Sequence, residues 1–224
     1  MGRIIRFYEF GTSDVLCFEE ADIRPPGPQE VRVRIHAIGL NRAEASYRAG
    51  HFGIPPFPST IGFEAAGTIE ELGSNVTGHA VGDAVAVVPG LMMHEYGTYG
   101  DEMLFPADML VPVPANMTME KAAASWMQFL TAYGMIAAGG LKAGDHVVIS
   151  AASSSVGLAA IQIANLVGAI PVAVTRTHTK KPALERHGAK HVIASEEEDL
   201  VTSLMALTNG SGPRLIFDSV GGDM

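Results

Sequence analysis

A serine-rich turn between two apolar runs has the residue types in this sequence that best suit ligand chemistry. Residues 151–157 read AASSSVG and join a predicted strand at 146–150 to a predicted helix at 156–167. Small side chains let a backbone approach a phosphate closely, and the free N–H groups at the start of a helix attract negative charge. The residues that could contact such a phosphate are Ser153, Ser154, Ser155 and Val156. Because the turn lacks the first glycine of G-x-G-x-x-G, a plain serine-capped turn is an equally good interpretation of this segment alone.

A group of cations follows the next predicted strand, at 171–175. This strand ends in Thr175 and Arg176, Lys180 follows one helical turn later, and no acidic residue occurs before Glu185. A site that prefers NADH has an acidic side chain here for the ribose hydroxyls, whereas an arginine suits the 2′-phosphate of NADPH. A basic run by itself is most often a solvated helix face. Because the turn, the arginine and the alternation of strands and helices occur together, we predict an NADPH site that includes Thr175, Arg176 and Lys180.

The elements that position these residues differ between the two halves of the chain. In the first half, residues 31–37 alternate between apolar and polar, and turns rich in proline and glycine separate several short predicted strands. The other strands predicted in this half are at 3–7, 66–72 and 83–88. Many short strands with such turns favour a β-barrel or a sandwich.

In the second half, the spacing of apolar residues indicates helices as well as strands. A helix predicted at 119–138 is followed by alternating strands and helices, which is typical of a doubly wound parallel sheet. These are strands at 146–150, 171–175, 191–194 and 214–218, with helices at 156–167, 180–187 and 197–207. We therefore predict an α/β protein with a β-rich domain at 1–123 and an NADP-binding domain at 124–224.

Composition excludes several classes of function. The 224 residues are 47% hydrophobic and 17% charged, with a formal charge of −9, so general disorder and nucleic acid or anionic lipid as main partners are not expected. The single cysteine, Cys17, cannot form an intrachain disulfide or a cysteine-built zinc cluster. The uncharged run 147–175 is interrupted by serines and Pro171, so it suits buried parallel strands better than a membrane helix. We expect a cytoplasmic protein.

Six short motifs span the whole chain. They are GLNRAE at 39–44, IGFEAAG at 61–67, VGDAV at 81–85, LTAY at 130–133, the serine turn, and FDSVGG at 217–222. In order and spacing they resemble the medium-chain dehydrogenase/reductase superfamily, specifically its zinc-free quinone oxidoreductase branch. This resemblance implies a GroES-like β-barrel followed by a Rossmann domain, a homodimer, and a C-terminal part of the fold that is missing here. We therefore expect the 224 residues to be a poor catalyst by themselves.

The zinc ligands of the superfamily's zinc-dependent branch have no counterpart in this sequence. By the resemblance, Asn41, Phe63 and Met127 stand where those proteins place a cysteine, a histidine and a third ligand. An amide, a phenyl ring and a lone thioether suit zinc poorly. We therefore predict no metal site.

The resemblance then implies hydride transfer from NADPH to a small-molecule acceptor, either a quinone or an α,β-unsaturated carbonyl. Such acceptors need little Lewis-acid help. Asn41 is implied to lie near the nicotinamide and to donate to the acceptor oxygen. Thr131 matches a threonine of the family near the same ring, and Gln128, on the same helix start, is a further candidate cofactor contact. Val220 is implied to contact the cofactor's ribose or diphosphate. Tyr47 is a candidate for substrate contact or proton donation, and a surface tyrosine is an equally good interpretation of it.

Two other functions stay open. A sensor or structural protein that binds NADPH without turnover is compatible with the sequence, because no strong acid or base is expected in the substrate cleft. A zinc-dependent alcohol dehydrogenase is a minor alternative, because it would have the same fold.

Overall fold

The computed structural model describes residues 2–221. The chain folds into two compact units, Met1–Met127 and Gln128–Met224. Each unit has a hydrophobic core of its own. No helix among the described residues is long and apolar enough to cross a membrane.

The first unit consists mainly of antiparallel strands. These are β1 (Gly2–Phe7), β2 (Cys17–Ala21), β3 (Glu30–Ile38), β4 (Ser59–Thr60), β5 (Ala65–Leu72), β6 (Ala84–Val87), β7 (Glu102–Pro106) and β8 (Leu110–Pro112). They form a small sheet with the order β2-β1-β4 and a larger one with the order β7-β3-β5-β6-β8. The alternation in β3 buries Val31 and Val33 in the core, as expected for a strand with one buried face. The four strands predicted for this half coincide with β1, β3, β5 and β6 to within one residue at each end.

Short helices connect these strands. They are α1 (Arg42–Arg48), α2 (Met93–Tyr96) and α3 (Met119–Ala123), with single 3-10 turns at Ser13–Val15 and Ala107–Met109. The prediction of one helix at 119–138 is wrong, because α3 ends and a separate helix, α4 (Trp126–Ala137), begins. The backbone N–H groups of Trp126 and Met127 donate to the carboxylate of Glu64, and a continuous helix would have used them internally.

The second unit is built around a parallel sheet. Its strands are β9 (His146–Ile149), β10 (Ile170–Thr175), β11 (His191–Ala194) and β12 (Leu215–Phe217), in the spatial order β11-β10-β9-β12. The connecting helices are α5 (Ser155–Leu166), α6 (Lys181–Arg186) and α7 (Leu200–Leu207), with a 3-10 turn at His178–Lys180. β9, the first of these strands in sequence, lies inside the sheet. β10 and β11 extend the sheet on one side of β9 and β12 lies on the other side, which is the arrangement of a Rossmann fold. The predicted α/β fold is confirmed.

Burial explains why the run 147–175 carries no charge. β9 is covered on both faces, with Val147 and Ile149 in the core under α5 and Val148 in a second cluster with residues of α7. α5 buries Ala160 and Ile161 completely. Strands inside a parallel sheet and the helix that covers them are apolar on most sides, so this run forms β9, α5 and β10.

Candidate functional site

The serine turn joins β9 to α5 at the carboxyl end of the parallel sheet. Ser154 caps α5, because its Oγ accepts the N–H of Gly157 at 3.0 Å. A Cβ on Gly157 would lie 2.6 Å from the Cα and the carbonyl oxygen of Ala152, so only glycine lets the helix begin this close to the turn. Within residues 2–221, the N–H groups of Ser155 and Val156 have no protein acceptor. The turn therefore leaves two donors at a helix start for an anion.

Two cations lie on the segment that follows β10, the strand next to β9. Arg176 is exposed, directly after Thr175 at the end of this strand. Lys180 is also exposed, and its Nζ donates to Ser153 Oγ at 2.9 Å. In the part of the chain that the structure describes, neither cation makes an ion pair. Both charges are therefore available to a phosphate beside the serine turn.

Acidic side chains from the loop after β11 contact the same segment. The sequence analysis did not predict these contacts. His178 contacts Glu197 through Nδ1, and its Nε2 lies 3.4 Å from Glu198 Oε1. The hydrogen bond from His178 holds the pKa of Glu197 below its ordinary value. These two carboxylates are thus paired with a histidine rather than with Arg176 or Lys180.

Asp218 organises the turn after β12 and was not among the predicted contacts. Ser150 Oγ donates to Asp218 Oδ1, and the N–H groups of Val220 and Gly221 donate to the carboxylate at 3.1 and 3.2 Å. The bond from Ser150 and these N–H groups lower the pKa of Asp218, so it remains ionised. Val220 is exposed beside this turn. Gly222, the last residue of the FDSVGG motif, lies outside the described residues.

In the first unit, Asn41 is the N-cap residue of α1 and has an extended backbone. Glu44, three residues later, is buried and accepts the N–H of Asn41 at 2.8 Å, the N–H of Phe63 at 3.0 Å and the hydroxyl of Tyr99 at 2.7 Å. Burial, with the bond to Glu44, holds the pKa of Tyr99 well above its ordinary value. Tyr99 is therefore a neutral donor that helps fix Glu44 under the start of α1.

Glu64 is a second buried carboxylate beside Asn41. It accepts Asn41 Nδ2 at 3.0 Å and the backbone N–H of Met127 at 2.9 Å. Burial raises the pKa of Glu64, and these hydrogen bonds act in the opposite direction. A Cβ on Gly39 would lie 2.5 Å from Glu64 Oε1, so the glycine of the GLNRAE motif permits this approach. Asn41 therefore lies between two buried carboxylates.

Tyr47 lies in a hydrophobic cluster of the first unit. Only 6% of the residue is exposed, its hydroxyl shares a 2.8 Å hydrogen bond with Ser59 Oγ, and its ring packs edge-on against Phe7 at 5.6 Å. Ile61 and Met93 complete this apolar cluster. Because packing occupies the ring and Ser59 bonds the hydroxyl, Tyr47 is a core residue of the first unit rather than a surface tyrosine, and its contact with a substrate stays a prediction.

The residues at the position of the superfamily's zinc site do not fit zinc. Asn41 offers an amide, and Phe63 offers a ring that packs edge-on against Phe52 at 6.4 Å. The carboxylates of Glu44 and Glu64 accept protein N–H and O–H groups. Among residues 2–221, no three His, Cys, Asp or Glu side chains are grouped as a metal would require. This donor set is built for hydrogen bonds rather than for a tetrahedral cation.

Two further predicted contacts lie on α4. Gln128 is half-buried and Thr131 is exposed, and a spacing of three residues puts them on the same side of the helix. Ala132 and Met135 anchor α4 in the core of the second unit. That Gln128 and Thr131 contact the cofactor stays a prediction.

Comparison with known proteins agrees with this geometry. Residues 27–115 match the alcohol dehydrogenase GroES-like domain family, and residues 155–224 match the family described as zinc-binding dehydrogenase. The quinone oxidoreductase of Pseudomonas aeruginosa is 34% identical over 224 residues, which are 100% of this chain and 68% of that protein. The chain belongs to the quinone oxidoreductase branch of the medium-chain dehydrogenase/reductase superfamily.

Solved structures of this superfamily superimpose closely on the chain. The Escherichia coli quinone oxidoreductase, whose structure is a complex with NADPH, gives a TM-score of 0.88 at 32% identity and covers 100% of this chain and 67% of that one. The CurK enoyl reductase gives 0.89 at 30% identity, with coverages of 99% and 68%. About a third of each relative therefore has no counterpart in these 224 residues. The resemblance read from the motifs is confirmed, and so is a GroES-like domain followed by a Rossmann-like sheet.

Proposed function

We propose that this quinone oxidoreductase family member binds NADPH and reduces a quinone or an α,β-unsaturated carbonyl without zinc. The observation that carries the proposal is the pair of cations at the end of β10, Arg176 and Lys180, which make no ion pair within residues 2–221. An acidic side chain at that position would select NADH, and a guanidinium there suits a 2′-phosphate. The E. coli relative in complex with NADPH supports the same choice.

The residues of the second unit fit the cofactor's charged half. The N–H groups of Ser155 and Val156 are available to the pyrophosphate, and the dipole of α5 favours its charge. Lys180 is held by Ser153 beside this turn, so a cation is already in place before a 2′-phosphate binds. Asp218 uses its carboxylate to hold the turn that presents Val220. When bound, NADPH would supply the hydride.

The first unit supplies hydrogen bonds rather than a Lewis acid. Quinones and conjugated enones are reduced by hydride at an electron-poor carbon, and the oxygen that gains charge can take its proton from water. Orientation of the reactants therefore supplies most of the catalysis. Asn41, on the start of α1, lines a cavity of about 240 Å³ together with Leu40, Arg48 and Tyr99. Relatives described as quinone oxidoreductases and an enoyl reductase support this acceptor class.

A second candidate, NADPH binding without turnover, is favoured by one observation. The proton donor proposed from the sequence was Tyr47, and its hydroxyl is bonded to Ser59 in the core. A protein that binds NADPH without such a side chain at the acceptor would serve as a sensor.

An NADPH oxidation assay separates these candidates. The protein as its gene encodes it is given NADPH and a panel of benzoquinones, naphthoquinones and conjugated enones. Oxidation that saturates with one acceptor class supports the reductase. Cofactor binding without acceptor-dependent oxidation supports the sensor. The domain limits 1–123 and 124–224, a cytoplasmic location and a homodimer remain proposals that rest on the sequence and the resemblance.

A further inference from the structure

An acidic loop lies next to the two cations that follow β10. The N–H of Ser195 donates to the carbonyl of Thr175 at 2.9 Å, and the N–H of Glu196 donates to the carbonyl of Arg176 at 3.0 Å. The loop after β11 therefore runs along the end of β10. It reads EEED at 196–199, so a run of four acidic residues begins beside Arg176. The loop and the cations all belong to the second unit.

Carboxylates at this place oppose the binding of a 2′-phosphate. An acidic side chain beside the end of the second strand suits the ribose hydroxyls of NADH, and it would also pair with an arginine that a phosphate needs. Yet neither Arg176 nor Lys180 makes an ion pair in the described part of the chain, residues 2–221. The acidic side chains of the loop must therefore be held by other partners.

His178, midway between the two cations, holds two of these side chains. Its Nδ1 contacts Oε2 of Glu197, and its backbone N–H donates to the other oxygen of Glu197 at 3.3 Å. Its Nε2 lies 3.4 Å from Oε1 of Glu198, whose second oxygen accepts the hydroxyl of Ser203 at 2.6 Å. The bond from His178 lowers the pKa of Glu197, and the bond from Ser203 lowers that of Glu198, so both glutamates are ionised.

The other two acidic residues of the loop differ from this pair. Asp199 is the N-cap of α7, where its carboxylate accepts the N–H of Thr202 at 2.7 Å. Glu196 is exposed and makes no ion pair among residues 2–221. Two unpaired cations thus lie near one unpaired carboxylate, which leaves the segment positive. Without the imidazole of His178, the same two cations would lie near three carboxylates that no cation holds, and the balance of charge would be negative.

We propose that His178 determines cofactor choice by holding Glu197 and Glu198 away from Arg176 and Lys180, so that these cations stay free for a 2′-phosphate. The inference rests on the proposed function and deepens it. His178 is a positioning residue in this arrangement, because it acts through the two glutamates and needs no contact with the cofactor. Its role therefore depends on the negative charge at positions 197 and 198, and removal of that charge should make the histidine dispensable.

The test is fluorescence titration of the full-length protein with NADPH and with NADH, at one pH and one ionic strength. Four proteins are compared: wild type, His178→Ala, His178→Ala combined with Glu197→Gln and Glu198→Gln, and His187→Ala. The last is the control, since His187 is an exposed histidine that directly follows α6. Circular dichroism verifies that each variant is folded.

We expect His178→Ala to weaken NADPH binding roughly tenfold without weakening NADH binding, because the released carboxylates pair with the cations and repel the 2′-phosphate. The triple variant should return to within about threefold of wild type, because glutamine has the size of glutamate without its charge. His187→Ala should bind both cofactors as the wild type does.

A histidine that only stabilises the fold of this loop would give a different result. The triple variant would then bind NADPH as weakly as His178→Ala, and the inference would be wrong. Unchanged NADPH binding in His178→Ala, or an equal loss for NADH, would also overturn it. A wild-type protein that binds the two cofactors alike would instead remove the proposed cofactor preference, and this role of His178 with it.

Discussion

Lys180 Nζ donates to Ser153 Oγ at 2.9 Å, although the two residues are 27 positions apart in sequence. The bond joins the segment after β10 to the serine turn after β9. Both residues are exposed, and Lys180 has no carboxylate partner among residues 2–221. The Ser153 hydroxyl therefore holds the positive charge of Lys180 close to the start of α5. Such an arrangement favours the binding of a phosphate.

Removal of the Lys180 charge should change the affinity for NADPH and not the affinity for NADH. We expect Lys180→Ala to weaken NADPH binding roughly tenfold, because a charge-assisted contact to the 2′-phosphate is lost, and to leave NADH binding unchanged. Fluorescence titration measures both. Lys190→Ala is the matched control, since Lys190 is an exposed lysine of the same basic run, beyond α6. A similar loss for NADH would place Lys180 away from the 2′-phosphate.

The close contact at Gly157 predicts a stability effect. An added Cβ would lie 2.6 Å from the Cα and carbonyl oxygen of Ala152, and backbone atoms cannot give way as a side chain can. We expect Gly157→Ala to lower the free energy of unfolding by about 2 kcal/mol or more. Gly134→Ala in α4 is the control, because nothing lies within 4 Å of its Cβ position, and it should raise stability by about 0.5–1 kcal/mol. Urea denaturation measures both, and equal effects would contradict the packing argument.

Glu30 should make stability depend on pH in acid. Its carboxylate contacts Arg24 at 2.5 Å, the N–H of Gly27 at 2.7 Å and the hydroxyl of Tyr96 at 2.9 Å. These contacts, the one with Arg24 first, lower the pKa of Glu30 from 4.5 to about 2. The folded state thus favours the ionised form. Its stabilisation is present above the unfolded pKa and is lost as the pH falls from 4.5 towards about 2.

The matching experiment is denaturation of Glu30→Gln across this range. At pH 7 the variant should be less stable by about 1–2 kcal/mol, a value kept small because Arg24 is exposed to water. The difference should vanish near the lower end of the range. Glu9→Gln, at an exposed position, is the control for the substitution itself. If the free energies of unfolding of Glu30→Gln and wild type differ by the same amount at every pH, the ion pair of Glu30 is not the cause of that difference.

Local patterns predicted the fold well. Alternation at 31–37 gave β3, and the apolar run 147–175 gave β9, α5 and β10. Such patterns predict strands and helices correctly because the order of apolar and polar residues within a segment shows which of its faces are buried. β2 was missed because its residues are exposed or half-buried without regular alternation, and β4 because it has only two residues.

The sequence offered candidate residues for the cofactor's phosphates only close to the ends of strands. The serine turn follows β9, and Arg176 and Lys180 lie one and five residues after β10. The hydrogen bonds from Asn41 and Met127 to Glu64 join residues 23 and 63 positions apart, and no local pattern encodes them. The same limit explains why the break between α3 and α4 was missed. The burial of Tyr47 depends on Phe7 of β1 and Ser59 of β4, and the sequence around Tyr47 does not show it.

The central claim is that the end of β10 selects NADPH through Arg176. The most direct measurement is parallel titration of the wild-type protein and Arg176→Ala with NADPH and NADH at the same ionic strength, since salt weakens exposed charge contacts. Wild type should bind NADPH at least roughly tenfold more tightly than NADH, and Arg176→Ala should bind the two alike. Equal affinities in the wild type, or a preference that survives in Arg176→Ala, would contradict the account.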